Sequence, residues 1–224
     1  MVEALLRQNE GWLGPLERPA LAWLAPRMPV WINPDRLSAI GMAGALICLI
    51  GYAWAAVNPA GLWLASVGLA VNWFGDSLDG SLARYRKIER PRYGYFLDNS
   101  LDVVQQFMIT IGVGLSGYLR WDVCLLALSV FLMLSVLTFL RAYIAGVYQL
   151  TYGRVGPTEM RVLGIVLNAM VFFFPPDQFD WLELPLTYPN ILSLMWSMGG
   201  LITFSISLVN QLRALAIEDP PREH

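Results

Sequence analysis

Histidine is almost missing from this chain. The only one, His224, is the last residue, so neither a histidine-based metal site nor an imidazole catalytic dyad is expected. Cysteine is as sparse. Cys48 and Cys124 stand alone inside apolar runs, without zinc-ligand spacing and without the density of a disulfide framework; both are expected to be buried thiols acting as small hydrophobes. Charge is scarce too, at 14% of residues against 56% hydrophobic, whereas roughly a quarter of a soluble domain is charged. The formal net charge of -2 says little, because distribution decides more than the sum, and no nucleic-acid partner is expected. There is no internal repeat. The opening stretch MVEALLRQNEGW mixes both charge signs and holds no continuous apolar segment, so it does not read as a signal peptide.

What is present is apolar length. Several runs reach the ~20 residues that a helix needs to cross a bilayer, and mean hydropathy is positive. The chain reads as an all-α integral membrane protein with six transmembrane helices. They are placed at about 38–57, 62–85, 91–115, 121–149, 162–174 (starting earlier, at GPTEMR) and 191–212. Before them, ERPALAWLAPRMPVW reads as an amphipathic helix lying on the membrane surface, with its tryptophans at headgroup level. Residues 1–37 are thus expected to form a cytoplasmic segment with a juxtamembrane helix, 38–217 the membrane domain, and 218–224 a cytoplasmic tail. Basic residues fall almost wholly on one side: Arg7, Arg18, Arg27 and Arg36 before the first span, and Arg84, Arg86, Lys87, Arg90 and Arg92 between the second and third. Arg154 and Arg161 flank the next such connection, and Arg213 and Arg222 follow the last span; only Arg120 lies opposite. The positive-inside rule then puts both termini and the second-to-third loop in the cytoplasm, at the plasma membrane of a bacterium if the source is one.

Four acids interrupt this apolar pattern. Asp76 and Asp79 are three apart on the second span, and Asp98 and Asp102 are four apart on the third, so each pair shares a helix face. A short basic hairpin joins the two helices, and both pairs fall roughly one to three turns below the cytoplasmic surface. Four carboxylates are expected to face one another across one gap. Each Asp near a helix centre costs about 2.5–3.5 kcal/mol on insertion scales, and like charges at close range add repulsion. Either several are protonated or cations sit among them. Hard oxygen ligands with no Cys or His nearby suit Mg²⁺, Mn²⁺ or Ca²⁺, and two facing pairs suit two ions clamping a phosphoryl group. Gly80 and Ala83 remove bulk beside Asp79, Arg84 lies one turn further on, and Gly94 opens the facing helix one turn before Asp98. That environment suits a diphosphate or a nucleotide.

The run Asp76-x-x-Asp79-Gly80-x-x-Ala83-Arg84, then Gly94-x-x-x-Asp98-x-x-x-Asp102, resembles the signature of the CDP-alcohol phosphotransferases, with every fixed position filled. The resemblance implies a membrane enzyme of phospholipid synthesis that moves a substituted phosphoryl group from a CDP-linked donor to an alcohol, releasing CMP. It implies Mg²⁺ or Mn²⁺, as two ions, held by Asp76, Asp79 and Asp98 with Asp102 shared. It implies Asp102 as the general base, and CDP contacts from Asp76, Asp79, Gly80, Ala83, Arg84, Gly94 and Asp98. It also implies a homodimer among membrane lipids.

Donor and acceptor stay open. A site in the bilayer's margin suits a CDP-diacylglycerol donor and a small polar alcohol. A CDP-choline or CDP-ethanolamine donor with a diacylglycerol acceptor also fits. Arg141 is a cation inside the fourth span, and GRVGPTEMRVLG brings Arg154, Thr158, Glu159 and Arg161 to the mouth of the fifth. These five residues are the candidate acceptor pocket, suited to a phosphorylated alcohol. Arg141 is also placed to pair with Glu159 or with the acids. A cation-coupled transporter is the alternative from another class, since intramembrane acids mark ion pathways too. Transporters favour internal repeats and midplane sites, and neither is present.

Overall fold

The structure, a computed structural model, describes residues 6–8, 11–145, 147–149, 155–176, 179–181 and 184–219. Among them are seven α-helices: α1 (Gly14–Leu24), α2 (Pro34–Ala55), α3 (Gly61–Arg86), α4 (Pro91–Leu115), α5 (Trp121–Ala145), α6 (Pro157–Phe173) and α7 (Tyr188–Glu218). A 3-10 turn, Ala25–Arg27, prolongs α1. Apart from two pairs of three-residue strands, β1 (Leu6–Gln8) with β2 (Val147–Gln149) and β3 (Phe179–Trp181) with β4 (Leu184–Leu186), the fold is all-helical. The stretch expected to be helical near the N-terminus, 17–31, is helical over α1 and the 3-10 turn, to Arg27.

Prolines set several of the starts. Pro34, Pro91, Pro157 and Pro189 each lie in the first turn of their helix, where the missing N–H has no intrahelical partner to lose and φ is preset. Asn33 caps α2 by accepting from the Arg36 N–H at 2.8 Å, so this helix begins at 34 and not at the expected 38. α3 stops where Lys87 turns left-handed, at φ 55°. There the Ile88 N–H returns to the Ala83 carbonyl at 3.0 Å, which satisfies a carbonyl the helix would otherwise orphan. The fourth expected span is cut at Ala145, because 147–149 are extended.

Six spans are expected; among the described residues three helices, α2, residues Trp121–Ile144 of α5, and α7, are long and apolar enough to cross a membrane. The shortfall has a physical reason. α3 and α4 have 26 and 25 residues, but the polar residues of the acidic site lower their hydropathy. α6 has only 17 residues.

α2 and α3 form the tightest pair. Gly41, Gly44, Cys48, Gly51 and Ala55 on α2 meet Gly75, Asn72, Gly68, Ala65 and Gly61 on α3, antiparallel. A Cβ on Gly44 would stand 2.3 Å from the Asn72 nitrogen, one on Gly68 2.5 Å from the Cys48 nitrogen, and one on Gly75 2.2 Å from the Gly41 nitrogen. The backbones touch, as small-residue stripes allow inside a membrane. Gly75→Ala is therefore expected to cost roughly 1–3 kcal/mol by overpacking. It should appear as a lowered unfolding midpoint in detergent. Gly94→Ala, whose Cβ would meet nothing within 4 Å, should leave the midpoint in place.

Two apolar clusters grow from this pair. One joins Cys48, Tyr52, Leu62, Ala65 and Leu69 to Val171 of α6. The other packs Leu37, Leu78 and Leu82 under Ala25 and Ile32 of the α1–α2 connection. On α3, Asp76 lies between the two clusters in sequence, and Asp79 lies next to Leu78 of the second. At the far end Arg86 donates to the carbonyls of Ile32, Met28 and Pro29, and Arg90 pairs with Asp35. Arg86, the last residue of α3, thus ties that helix to the α1–α2 connection, and Arg90 ties the start of α4 to the first turn of α2.

Candidate active site

Both acid-bearing helices pack their backbones chiefly against α2 rather than on each other. One carboxylate oxygen from each of Asp76, Asp98 and Asp102 lies within 4.8 Å of the other two, and all three residues are half-buried. Asp79 stands beside this triplet. Its Oδ2 accepts from the Ser38 hydroxyl of α2 at 2.6 Å, and its Oδ1 accepts from the Gly80 N–H. It remains within electrostatic reach of Asp98 and Asp76. The expected four-acid cluster is thus three close carboxylates and a fourth tied to α2.

A cation reaches the triplet from α6. Arg161 donates through Nη2 to Asp76 Oδ2 at 2.7 Å and through Nε to Asn72 Oδ1 at 2.7 Å. The pair is secluded, with side chains only 11% and 15% exposed, and Arg161 Nη1 is buried with no hydrogen-bond partner among the described residues. Asn72, one turn before Asp76 and almost fully buried, is the hub. Its Nδ2 donates to the Gly41 carbonyl at 2.9 Å and to Gln105 Oε1 at 2.7 Å, so α2, α3, α4 and α6 converge on one amide. Asn72, Gln105 and Ser38 were not singled out from the sequence. The available signal was spacing: Asn72 and Gln105 sit four before Asp76 and three after Asp102, on the acids' own helix faces.

The other candidates fall as follows. Gly80 packs against its own Arg84, whose guanidinium would lie 3.3 Å from an added Cβ, and Gly94 faces open space. Arg84 is exposed at the end of α3, and Ala83 beside it is half-buried. Thr158 donates to Glu17 of α1 at 2.7 Å. Glu159 accepts from the Leu13 N–H at 2.8 Å and the Gly156 N–H at 2.9 Å; its carboxylate caps α6 and grips α1. Arg141 is half-buried near the end of α5, and Arg154 lies outside the described residues. The arginine expected beside the acceptor, Arg161, is on the acids.

The donor set fits a divalent cation. Three carboxylate oxygens from two helices converge, and among the described residues no nitrogen or sulfur ligand joins them, which is the chemistry of Mg²⁺ or Mn²⁺. One guanidinium offsets only part of that negative charge, and like charges this close repel strongly in a poorly polarisable interior.

Residues 31–196, which hold the triplet, Asp79 and Arg161, match the family model described as CDP-alcohol phosphatidyltransferase. The chain belongs to that family. Archaetidylinositol phosphate synthase of Pyrococcus horikoshii is 37% identical over 122 residues, which is 54% of this chain and 61% of that protein. Cholinephosphotransferase 1 of Mus musculus is 27% identical over 197 residues, 83% of this chain and 48% of that protein. The human cholinephosphotransferase 1 is 25% identical over 199 residues, 83% and 47%. The chain therefore spans about half to three-fifths of the length of these relatives. Membership of the CDP-alcohol phosphatidyltransferase family leaves the transporter reading without support. The match begins inside the α1–α2 connection, so α1 lies outside it.

Proposed function

We propose that this chain transfers a phosphatidyl group from CDP-diacylglycerol to the hydroxyl of a small polar alcohol, releasing CMP. The observation that carries the reading is the Asp76–Asp98–Asp102 triplet within 4.8 Å, inside the family-matched segment. Asp76, Asp98 and Asp102, with Asp79 alongside, would hold Mg²⁺ or Mn²⁺, which when bound would neutralise diphosphate charge and favour departure of CMP. Asp102 accepts the proton of the attacking hydroxyl. The new P–O bond forms to the alcohol oxygen as the bond to CMP breaks, with no covalent enzyme intermediate. Arg161 holds Asp76 in place, and its unpartnered Nη1 supports a contact with an anionic acceptor. Gly80, Ala83, Arg84 and Gly94 are assigned to CDP. Arg141, Arg154 and Thr158 are assigned to the acceptor side, and the contacts of Glu159 favour a capping role for that residue.

An apolar cavity of about 310 Å³ between α1, α3 and α6 supports a lipid substrate. Leu13, Leu16, Ala20, Ala70, Val162 and Ile165 line it, with Arg161 in its wall, so hydrocarbon space adjoins the charged site. The likeness to cholinephosphotransferases over 83% of the chain favours a second reading, in which a soluble CDP-amino-alcohol meets diacylglycerol in the same cavity. We place α2 to α7 across the bilayer with the site on the cytoplasmic side, on the basis of the arginine distribution, and assign a homodimer by family resemblance.

The test is CMP release by purified protein, with either donor, a panel of alcohols, and Mg²⁺ or Mn²⁺. Release with CDP-diacylglycerol that needs both alcohol and divalent ion is expected. Release only with a CDP-amino-alcohol and diacylglycerol would favour the second reading, and none with either donor would remove both.

A further inference from the structure

Glu17 of α1 is a half-buried carboxylate that the proposed chemistry does not use. Three donors converge on its Oε1: the Trp73 indole N–H at 2.9 Å, the Ser77 hydroxyl at 2.9 Å and the Thr158 hydroxyl at 2.7 Å. Their places matter more than their number. Trp73 and Ser77 bracket Asp76 on one turn of α3, and Thr158 lies one turn before Arg161 on α6. One oxygen thus ties together the two turns that present the Asp76–Arg161 pair. Glu159 closes the loop from the opposite direction, reaching from α6 to the Leu13 N–H of α1 at 2.8 Å. A carboxylate with three donors is a strong anchor, since hydrogen bonds to charged groups are roughly twice as strong as neutral ones. An amphipathic surface helix needs no buried acid to lie on a membrane; its apolar face suffices.

From this arrangement we infer that Glu17 is a positioning residue for the acid cluster. It sets the spacing of α3 and α6, fixes Arg161 on Asp76, and so tunes the affinity of the carboxylates for a divalent cation. Outer partners of metal ligands commonly control affinity by 10–100-fold, and Glu17 acts on Asp76 from one step further out.

The inference rests on the metal-site reading above. The experiment is Mn²⁺ titration of the intact protein in detergent, following free Mn²⁺ by its paramagnetic resonance, without substrates. Glu17→Ala is expected to weaken binding about ten-fold, while Glu17→Gln, which keeps an acceptor oxygen, stays near wild type. Should Glu17→Ala not fold, Ser77→Ala and Thr158→Val each cut one limb, and each should weaken binding roughly three-fold as a fraction of the same effect. A melting point that falls with Mn²⁺ affinity unchanged would make Glu17 a merely structural tether and overturn the inference. Absence of Mn²⁺ binding by the wild-type protein would instead overturn the metal site itself.

Discussion

Asp102→Asn is expected to lower turnover by roughly 10²–10⁴-fold, the usual contribution of a positioned general base. The exchange keeps the shape of the side chain and removes its ability to take a proton. It also replaces one carboxylate oxygen of the triplet by a neutral amide group, so a modest weakening of Mn²⁺ binding accompanies the loss. The informative comparison is between the two readouts. CMP release should fall by orders of magnitude while binding of the CDP donor, followed by calorimetry, stays within a few-fold of wild type. Asp102 tolerates this separation because Asp76 and Asp98 remain to hold a cation and Asp79 remains beside them. Turnover near the wild-type rate would remove Asp102 from the proton-transfer role.

The second large effect is at Asp76. Asp76→Ala removes a metal ligand and also strips Arg161 of its carboxylate. Breaking a secluded pair from one side costs about 3–5 kcal/mol, because a charge is left buried and uncompensated. Arg161 is 11% exposed; Asp102 stays within its electrostatic reach, but its hydrogen-bonded carboxylate is gone, so the cost falls towards the lower end of that range. Asp76→Ala should therefore be both inactive and markedly less stable. Removing both charges separates these consequences. The Asp76→Ala, Arg161→Met double variant should regain most of the lost stability, since apolar replacements of buried pairs are often neutral, yet remain without turnover. Restored turnover in the double variant would show that Asp76 is not part of the catalytic machinery.

The parts of the site legible in the sequence were those set by local periodicity. Acid spacings of three and four residues place two carboxylates on one face of α3 and two on one face of α4, and a helix preserves those relations whatever packs against it. The starts at Pro91 and Pro157 were equally local. What the sequence concealed was contact across helices. Arg161 pairs with Asp76 from 85 positions further along the chain, and neither residue carries any mark of the other. Glu159 lies three residues after Gly156, the capping-box position, so its N-terminal contact is a local signal, whereas its grip on Leu13 is not. On α2 the small residues Gly41, Gly44, Cys48, Gly51 and Ala55 recur at intervals of three and four. Their pairing, residue by residue, needed the antiparallel hairpin. Asp79 departed from expectation because Ser38, from a third helix, competes for it.

The most direct test of the account is a Mn²⁺-soaked crystal with a CDP ligand, examined by anomalous scattering. The account predicts a manganese peak bounded by Asp76, Asp98 and Asp102, with the diphosphate against it. Manganese density elsewhere, or a diphosphate held only by arginines with these carboxylates turned away, would contradict it.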